Sequence, residues 1–443
     1  IAFEGCAEDH AQTAIHDLGF RAVVLPGGER AFRVTVGGGT AVRPTSGSVL
    51  EEALPAGELL ASAEAVLRVY HRRGDYQHRG KNRIKYLIKE IGFTAFHEEY
   101  ATELLAIRAG GVPPLPFPVD EPPVEEEPQG ARPAPPAPAE IAARVTAGPP
   151  HGPGLHPPVE PVLPRPILVV DDLLDDALAR WAESNVRPQR QPRYSLVTVT
   201  LPLGDVTAAQ LRVIADLAAS YGDGTARLTA EQNLLLRWVK SQDVAPLYRA
   251  LSAAGLGTGG AGTLADVVSC PGAESCKLAI TRSRGLGKLL VDSLREQPEL
   301  VAAGPGIDIK VSGCPNGCSR HHVAGIGFQG SVRRLGERLV PQYFVTVGGG
   351  VDEGGAHFGR LVAKVPARRG PEVVQRLLAL YLAERAPGEP PLAFLQRLEP
   401  QRAKAALADL EKLSVDDALP VDFIDLGDEA PIEVITMEGE CSA

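Results

Sequence analysis

The chain has 443 residues, of which 44% are hydrophobic, 23% charged and 5% aromatic, and its formal net charge is −10. This length corresponds to two or three domains with enough apolar residues to form cores. No run of about 20 uncharged apolar residues is present, so the sequence predicts no membrane span. The acidic balance argues against a nucleic-acid partner.

Residues 1–110 form the first predicted domain. The chain begins Ile-Ala-Phe and its single methionine is Met437, so we expect that residue 1 is not a translation start and that an N-terminal part is missing. No secretory signal pattern opens the chain, which favours a cytoplasmic protein.

Proline marks the next segment. Residues 111–166 hold 19 of the 39 prolines and an acidic run at 125–127. Such a composition buries too little apolar surface to offset the entropy of ordering, so we predict an extended linker.

Residues 167–260 carry the pattern of a small α+β domain. Ser195–Leu201 alternates like a strand, and Thr207 precedes a helix-period segment as a candidate cap. Two short strands, Thr225–Leu228 and Asn233–Val239, and a helix at Val244–Ala254 follow. The order β-α-β-β-α predicts a ferredoxin-like unit.

Residues 261–400 form the last predicted domain, followed by a C-terminal tail at 401–443. An internal repeat connects this domain with the first. Gly5-Cys6 aligns with Gly313-Cys314, and Val34–Gly39 aligns with Val345–Gly350. Matching landmarks in the same order predict a duplicated domain with pseudo-twofold packing.

Four of the six cysteines form two pairs, Cys270 with Cys276 and Cys314 with Cys318. Proline and glycine follow the first cysteine of each pair, which bends the backbone so that thiolates converge and N–H groups point at sulfur. The spacing favours an iron–sulfur cluster. Disulfides lack support from a secretion signal, and the wider pair exceeds the usual zinc spacing, but both remain alternatives.

Basic residues are concentrated around these cysteines. A solvated helix face explains part of this excess of positive charge. The excess also suits a polyanionic cofactor or an oxyanion substrate. Between Ser269 and Arg334, nine basic residues face five acidic ones; the basic residues are Lys277, Arg282, Arg284, Lys288, Arg295, Lys310, Arg320, Arg333 and Arg334.

The paired motif, with Ser-Gly-Cys-Pro-Asn-Gly-Cys at 312–318, resembles the sirohaem- and 4Fe-4S-containing sulfite and nitrite reductases. The resemblance extends to 204–233 in the ferredoxin-like segment, to 82–87 in the first domain and to 439–441 at the tail. It implies an α+β, duplicated sulfite/nitrite reductase fold with a ferredoxin-like half-domain and cluster- and sirohaem-binding domains.

The resemblance also implies roles for residues. Cys270, Cys276, Cys314 and Cys318 would hold a 4Fe-4S cluster, and Cys318 would also bind the iron of sirohaem. Because sirohaem carries many carboxylates, basic and amide side chains in the matching stretches are its candidate partners. These are Arg227, Gln232, Asn233, Lys310 and Arg320.

The implied activity is the six-electron reduction of sulfite to sulfide or nitrite to ammonia, with ferredoxin as electron donor. The family's anion-binding arginines and lysine pair would lie upstream of Ile1, so no catalytic residue is assigned. The alternatives are a precorrin-3B synthase-like cluster protein, a non-catalytic cluster-binding fragment and a zinc-binding structural module.

Two further interpretations concern the first domain. Cys6 aligns with a cluster cysteine, but the partner position is His10, so Cys6 is expected to be a small buried residue. A basic segment is expected to be a solvated helix face; its members are Arg72, Arg73, Arg79, Lys81, Arg83 and Lys85.

Overall fold

The computed structural model contains three α+β units, each built around its own apolar core. This confirms the predicted fold class. Among the described residues, no helix combines the length and apolarity that a bilayer span requires. The structure describes residues 1–112, 114–116, 118, 119, 121, 125–147 and 171–434.

The first unit packs three helices on a four-stranded sheet of order β1-β2-β3-β4. β1 and β2 are parallel, and the other neighbours are antiparallel. Its core is closed by Phe20, Phe96 and Tyr100, all fully buried. The elements are β1 (Ala2–Glu4), β2 (Leu18–Val24), β3 (Arg30–Val36), β4 (Ser48–Pro55), α1 (Leu59–Arg73), α2 (Ile84–Ile91) and α3 (Phe93–Gly110).

The proline-rich segment is not extended throughout. Pro138–Ala147 forms helix α4, whose Ile141 is fully buried in the core of the second unit. Upstream, the Arg132 guanidinium donates to the carbonyl oxygen of Tyr221 at 2.8 Å. The extended-chain expectation is wrong for this helix because Ile141 supplies the apolar contact that its proline-rich surroundings lack. Residues 148–170 lie outside the described residues.

The second unit contains the predicted β-α-β-β-α order on a sheet of order β5-β6-β8-β7. Thr207 caps α6 as predicted: its hydroxyl accepts the Gln210 N–H at 3.2 Å, and the Gln210 side chain accepts the Thr207 N–H at 2.9 Å. The elements are α5 (Asp171–Asn185), β5 (Val186–Pro188), β6 (Tyr194–Val199), α6 (Ala208–Tyr221), β7 (Ala226–Leu228), β8 (Leu234–Lys240) and α7 (Val244–Ala253).

The third unit has a five-stranded sheet of order β15-β12-β11-β10-β9. Its core includes Leu407 and Leu426, so part of the predicted C-terminal tail packs with this unit. The elements are β9 (Val268–Ser269), α8 (Ser283–Arg295), α9 (Pro298–Ala303), β10 (Ile309–Ser312), β11 (Ile326–Leu335), β12 (Arg338–Val347), β13 (Gly350–Asp352), β14 (Gly355–His357), β15 (Arg360–Pro366), α10 (Gly370–Glu384), α11 (Pro391–Arg397) and α12 (Pro400–Leu407).

The first and third units repeat one another, which confirms the predicted duplication. In β1 and β2, Ala2 pairs with Gly19. In β10 and β11, Lys310 pairs with Gly327, and both pairs join residues 17 positions apart in parallel register. Each unit then continues with an antiparallel hairpin, a further strand and a 15-residue helix, α1 or α10.

Candidate metal centre

Two neighbouring parallel strands bring the cysteine pairs together. β9 and β10 align Ser269 with Val311. Cys270 directly follows β9, and its N–H donates to the carbonyl oxygen of Val311 at 3.1 Å. Cys314 follows β10 after a single glycine. Because the carboxyl ends of parallel strands share one edge of a sheet, residues 44 positions apart in sequence are placed side by side.

Glycines give the cysteine loops their close packing. At Gly313, an added Cβ would lie 2.5 Å from the carbonyl oxygen of Thr281. Gly317 has φ +69°, and an added Cβ would lie 2.3 Å from the His322 ring. The loop between Cys314 and Cys318 therefore requires glycine for its conformation and for the space it occupies.

The four motif cysteines differ in how exposed they are to solvent. Cys270 and Cys314 are buried, Cys276 is intermediate and Cys318 is exposed. Burial is the largest cause that raises the pKa of the Cys314 thiol to about 11, and charge on the other three motif cysteines raises it further. Burial and repulsion between the sulfurs therefore disfavour four charged thiolates in the protein without metal. Bound cationic iron would offset both effects.

Hydrogen-bond donors point at sulfur, as the loop chemistry predicted. The Gly313 N–H donates to Cys270 Sγ at 3.2 Å. The Ser283 hydroxyl lies 3.2 Å from the same sulfur and donates to the Cys270 carbonyl oxygen at 2.8 Å. The Asn316 N–H bonds to Cys314 and opposes the increase in its pKa. None of the five described cysteines forms a disulfide. Converging thiols with N–H donors at sulfur fit a thiolate-held iron–sulfur cluster.

Gln232 and Asn233 connect the second unit to this site. The Gln232 amide donates to the Ser269 carbonyl oxygen at 2.9 Å and accepts the Ser269 N–H at 3.1 Å. The buried Asn233 amide accepts the Leu201 N–H and donates to the Asp266 carboxylate, both at 2.8 Å. Gln232 thus holds the strand that directly precedes Cys270, and Asn233 holds Asp266, two residues before that strand. Their direct contact with sirohaem stays a prediction.

The predicted basic partners of sirohaem occupy different environments. Lys310 is buried, and its ammonium lies 2.7 Å from the Asp308 carboxylate. Arg227 is partly exposed, 3.5 Å from the Asp223 carboxylate. Each side chain is thus paired with a carboxylate of its own unit, and their role in cofactor binding stays a prediction.

Arg320 joins all three units. Its guanidinium donates to Gln12 Oε1 at 2.9 Å in the first unit and to the Ala230 carbonyl oxygen at 2.7 Å in the second. Gln12 and Arg320 each precede the short 3-10 helix of their repeat, and both adopt left-handed backbone angles. The pseudo-twofold relation therefore brings equivalent positions into contact.

Cys318 is the exposed cysteine of the four, and its placement is the main feature of the site that fits sirohaem binding. Behind its loop, His321 and His322 stack with ring centroids 3.9 Å apart. Burial lowers the pKa of His321 to about 3 and that of His322 to about 4, so both rings are neutral. His322 Nδ1 is buried and has no hydrogen-bond partner among the described residues. The sequence marked this pair only by its position after the cysteine loop.

Two interpretations of the first unit need correction. Cys6 is exposed rather than buried, because it follows β1 in a surface loop. Lys85 is buried rather than solvated, and its ammonium donates to the carbonyl oxygens of Thr40 and Arg43 at 2.7 and 2.8 Å. Burial lowers the pKa of Lys85 to about 8.

Other members of the basic segment are engaged at the surface. Arg72 and Arg73 pair with Glu99 on α3, whereas Arg83 pairs with Asp17 at 2.7 Å. These pairs connect different elements of the first unit at its surface.

Comparison with known families decides the classification. The model of the nitrite and sulphite reductase 4Fe-4S domain matches residues 1–107 and 260–395, more than half of the chain. The chain belongs to the nitrite and sulfite reductase family. The model of the family's ferredoxin-like half domain matches residues 187–254. Sulfite and nitrite reductases carry a 4Fe-4S cluster and sirohaem, which confirms the predicted cofactors for this family member.

Curated relatives carry both reductase names. The chain is 27% identical to the chloroplastic ferredoxin–nitrite reductase of Oryza sativa subsp. japonica over 82% of this chain and 51% of that protein. It is 26% identical to sulfite reductase [ferredoxin] 1 of Mycolicibacterium paratuberculosis over 84% of this chain and 57% of the relative. The chain thus spans between half and three fifths of these two proteins.

The same fold occurs in a solved structure. The structure of the Mycobacterium tuberculosis NirA protein superposes with a TM-score of 0.64 and 24% sequence identity. The match covers 88% of this chain and 61% of that one. This likeness supports the duplicated fold, including the ferredoxin-like unit.

Proposed function

We propose that this chain is the cluster-bearing part of a reductase that transfers six electrons to sulfite or nitrite, with ferredoxin as donor. The observation that carries the proposal is the convergence of two cysteine pairs where β9 and β10 end side by side. Family membership and relatives named for ferredoxin, nitrite and sulfite support it.

The assignment of the four ligands follows from their placement. Cys270, Cys276, Cys314 and Cys318 would hold the 4Fe-4S cluster, with the buried sulfurs on its protein side. Cys318 is exposed and would extend to the sirohaem iron as a shared ligand. Sirohaem would supply a Lewis-acidic iron that binds a small oxyanion and passes electrons to it.

The chain's own residues would prepare this centre. Gln232 fixes the strand before Cys270, and the Gly313 N–H supports the Cys270 sulfur. Neutral His321 and His322 add no charge behind the Cys318 loop. We place the protein in the cytoplasm, where thiols stay reduced and remain available as cluster ligands.

The first test is the visible spectrum of the anaerobically purified chain, with iron and acid-labile sulfide measured on the same sample. We expect sirohaem absorption together with about four sulfides per chain. A colourless protein that contains zinc at these cysteines would contradict the proposal. Cluster without sirohaem would overturn the assignment of the macrocycle to this chain.

Cysteine variants test the ligand set. Cys276→Ser should lose most of the iron and sulfide, because the cluster would lack a thiolate ligand. Cys318→Ala should also lose sirohaem absorption. The matched control is Cys441→Ser, which removes a thiol outside the four-cysteine motif and should keep both cofactors. Full cluster and sirohaem absorption in Cys318→Ala would refute the shared ligand.

Turnover by the loaded chain tests the activity separately. Chemically reduced ferredoxin should support formation of sulfide from sulfite or ammonia from nitrite, and the faster reaction identifies the substrate. A chain that holds both cofactors and reduces neither anion would be a cofactor-binding part without its own activity.

A further inference from the structure

The loop after β1 gathers three side chains with metal-binding atoms. Glu4 ends the strand, Cys6 follows two residues later, and His10 closes the loop. One ligand atom from each side chain lies within 4.8 Å of the other two. His10 Nδ1 is 3.8 Å from Glu4 Oε2. A thiolate, an imidazole and a carboxylate form a donor set that zinc prefers.

The carboxylate of this group is held in place by the backbone. Glu4 is buried, and its two oxygens accept the N–H groups of Cys6 at 2.7 Å and Ala11 at 2.9 Å. Asp9 fixes the end of the loop by accepting the Thr13 N–H at 2.9 Å. Cys6 and His10 are exposed, so their side chains can close on an ion by small rotations about a fixed carboxylate.

The repeat provides a second, independent observation. The equal registers of the two repeats superpose Ala2 on Lys310, and therefore Cys6 on Cys314 and His10 on Cys318. The ligand-bearing loop of the third unit thus has a counterpart at the same place in the first. In the first unit, the Cys6 sulfur takes the place of Cys314 and a ring nitrogen of His10 takes the place of Cys318. Glu4, at the end of β1, adds a carboxylate.

We propose that Glu4, Cys6 and His10 bind one divalent zinc ion in the first unit. The site has three protein ligands and a fourth position for water. Glu8 lies on the other side of the His10 ring, 3.4 Å from Nε2, where its carboxylate can orient the imidazole. This site is separate from the cluster ligands and does not depend on the proposed reductase activity.

The test uses the full chain, loaded with its cofactors anaerobically, incubated with zinc chloride and desalted. We expect one more zinc per chain in the unaltered protein than in Cys6→Ser or His10→Gln. The matched control is His78→Gln, which removes another exposed histidine beside a carboxylate, Asp75 at 2.9 Å, and should keep the ion. Equal zinc in the unaltered and Cys6→Ser proteins would overturn the proposal.

A second measurement needs no variant. Alkylation of Cys6, followed by mass spectrometry of its peptide, should slow about tenfold or more when zinc occupies most of the sites, because the bound thiolate is no longer available. An unchanged rate at saturating zinc would also overturn the proposal. Zinc bound at incompletely loaded cluster cysteines is distinguishable, since it would persist in Cys6→Ser and would leave Cys6 reactive.

Discussion

Gly317 shows how one residue controls the ligand loop. Its φ of +69° disfavours any other residue, and a Cβ would lie 2.3 Å from the His322 ring. Gly388 has a similar φ of +74° but has nothing within 4 Å of an added Cβ. Substitution of either glycine would therefore strain the backbone, but only substitution of Gly317 would also create a steric clash.

We expect Gly317→Ala to lose iron and sulfide and to lower the free energy of unfolding by more than the ~1–2 kcal/mol of backbone strain. Gly388→Ala should show the strain alone and keep its cluster. Iron content and thermal unfolding of both variants check this, and equal behaviour would show that the His322 contact is unimportant.

Asp266, at the junction between the second unit and the strand before Cys270, makes the stability of the protein depend on pH. Burial raises the pKa of its carboxyl from 3.8 to about 6, although the Gly262 N–H and the Asn233 amide lower it in part. The folded protein therefore binds more protons than the unfolded chain between about pH 4 and 6. The contribution of Asp266 to the free energy of unfolding therefore falls as pH rises through this window.

Asp266→Asn should remove this dependence while keeping an oxygen that accepts both hydrogen bonds. Between pH 5 and 7, we expect the unaltered protein to lose about 1 kcal/mol more stability than the variant. Urea unfolding at the two pH values measures the difference. Parallel pH profiles would mean that Asp266 is ionised throughout.

At the scale of elements, α4 attaches part of the proline-rich segment to the second unit. Ile141 is fully buried there, whereas Val145 on the same helix is partly buried. Both tryptophans of the chain, Trp181 and Trp238, belong to this unit, so their fluorescence reports its unfolding.

Ile141→Ala should therefore lower the free energy of unfolding monitored by fluorescence by about 2–4 kcal/mol, because the deletion leaves a cavity. Val145→Ala, the control, should cost less. If both variants unfold like the unaltered protein, then α4 does not contribute to the second unit.

The parallel pair β9 and β10 is the element that forms the metal centre. The sequence supplied the two cysteine motifs, and their shared chemistry predicted convergence. It did not give the pairing of Ser269 with Val311, because β9 has only two residues and carries no periodic signal of its own. That pairing arises from the packing of the third unit.

At the scale of the whole molecule, Arg320 connects the three units through Gln12 and Ala230. Its side chain is half-buried, and this burial lowers the pKa of the guanidinium. Each hydrogen bond from a charged donor contributes about 1.5–3 kcal/mol. The contact therefore couples the unfolding of units that have separate cores.

We expect Arg320→Met to separate the unfolding transition of the second unit, followed by tryptophan fluorescence, from that of the whole chain, followed by far-ultraviolet circular dichroism. Arg334→Met, at an exposed position of the same unit, is the control. Coincident transitions in both variants would show that the units unfold together for other reasons.

The sequence by itself determined the chemistry and the repeat. Cysteine spacing, turn residues and the Thr207 cap are local, so they predicted the ligand motifs, the ferredoxin-like order and the duplication. Only the tertiary structure decided burial and partners. It placed Cys6 at the surface, buried Lys85 and Ile141, and directed Gln232 to the cluster strand. These outcomes depend on contacts between residues distant in sequence, which no local pattern encodes.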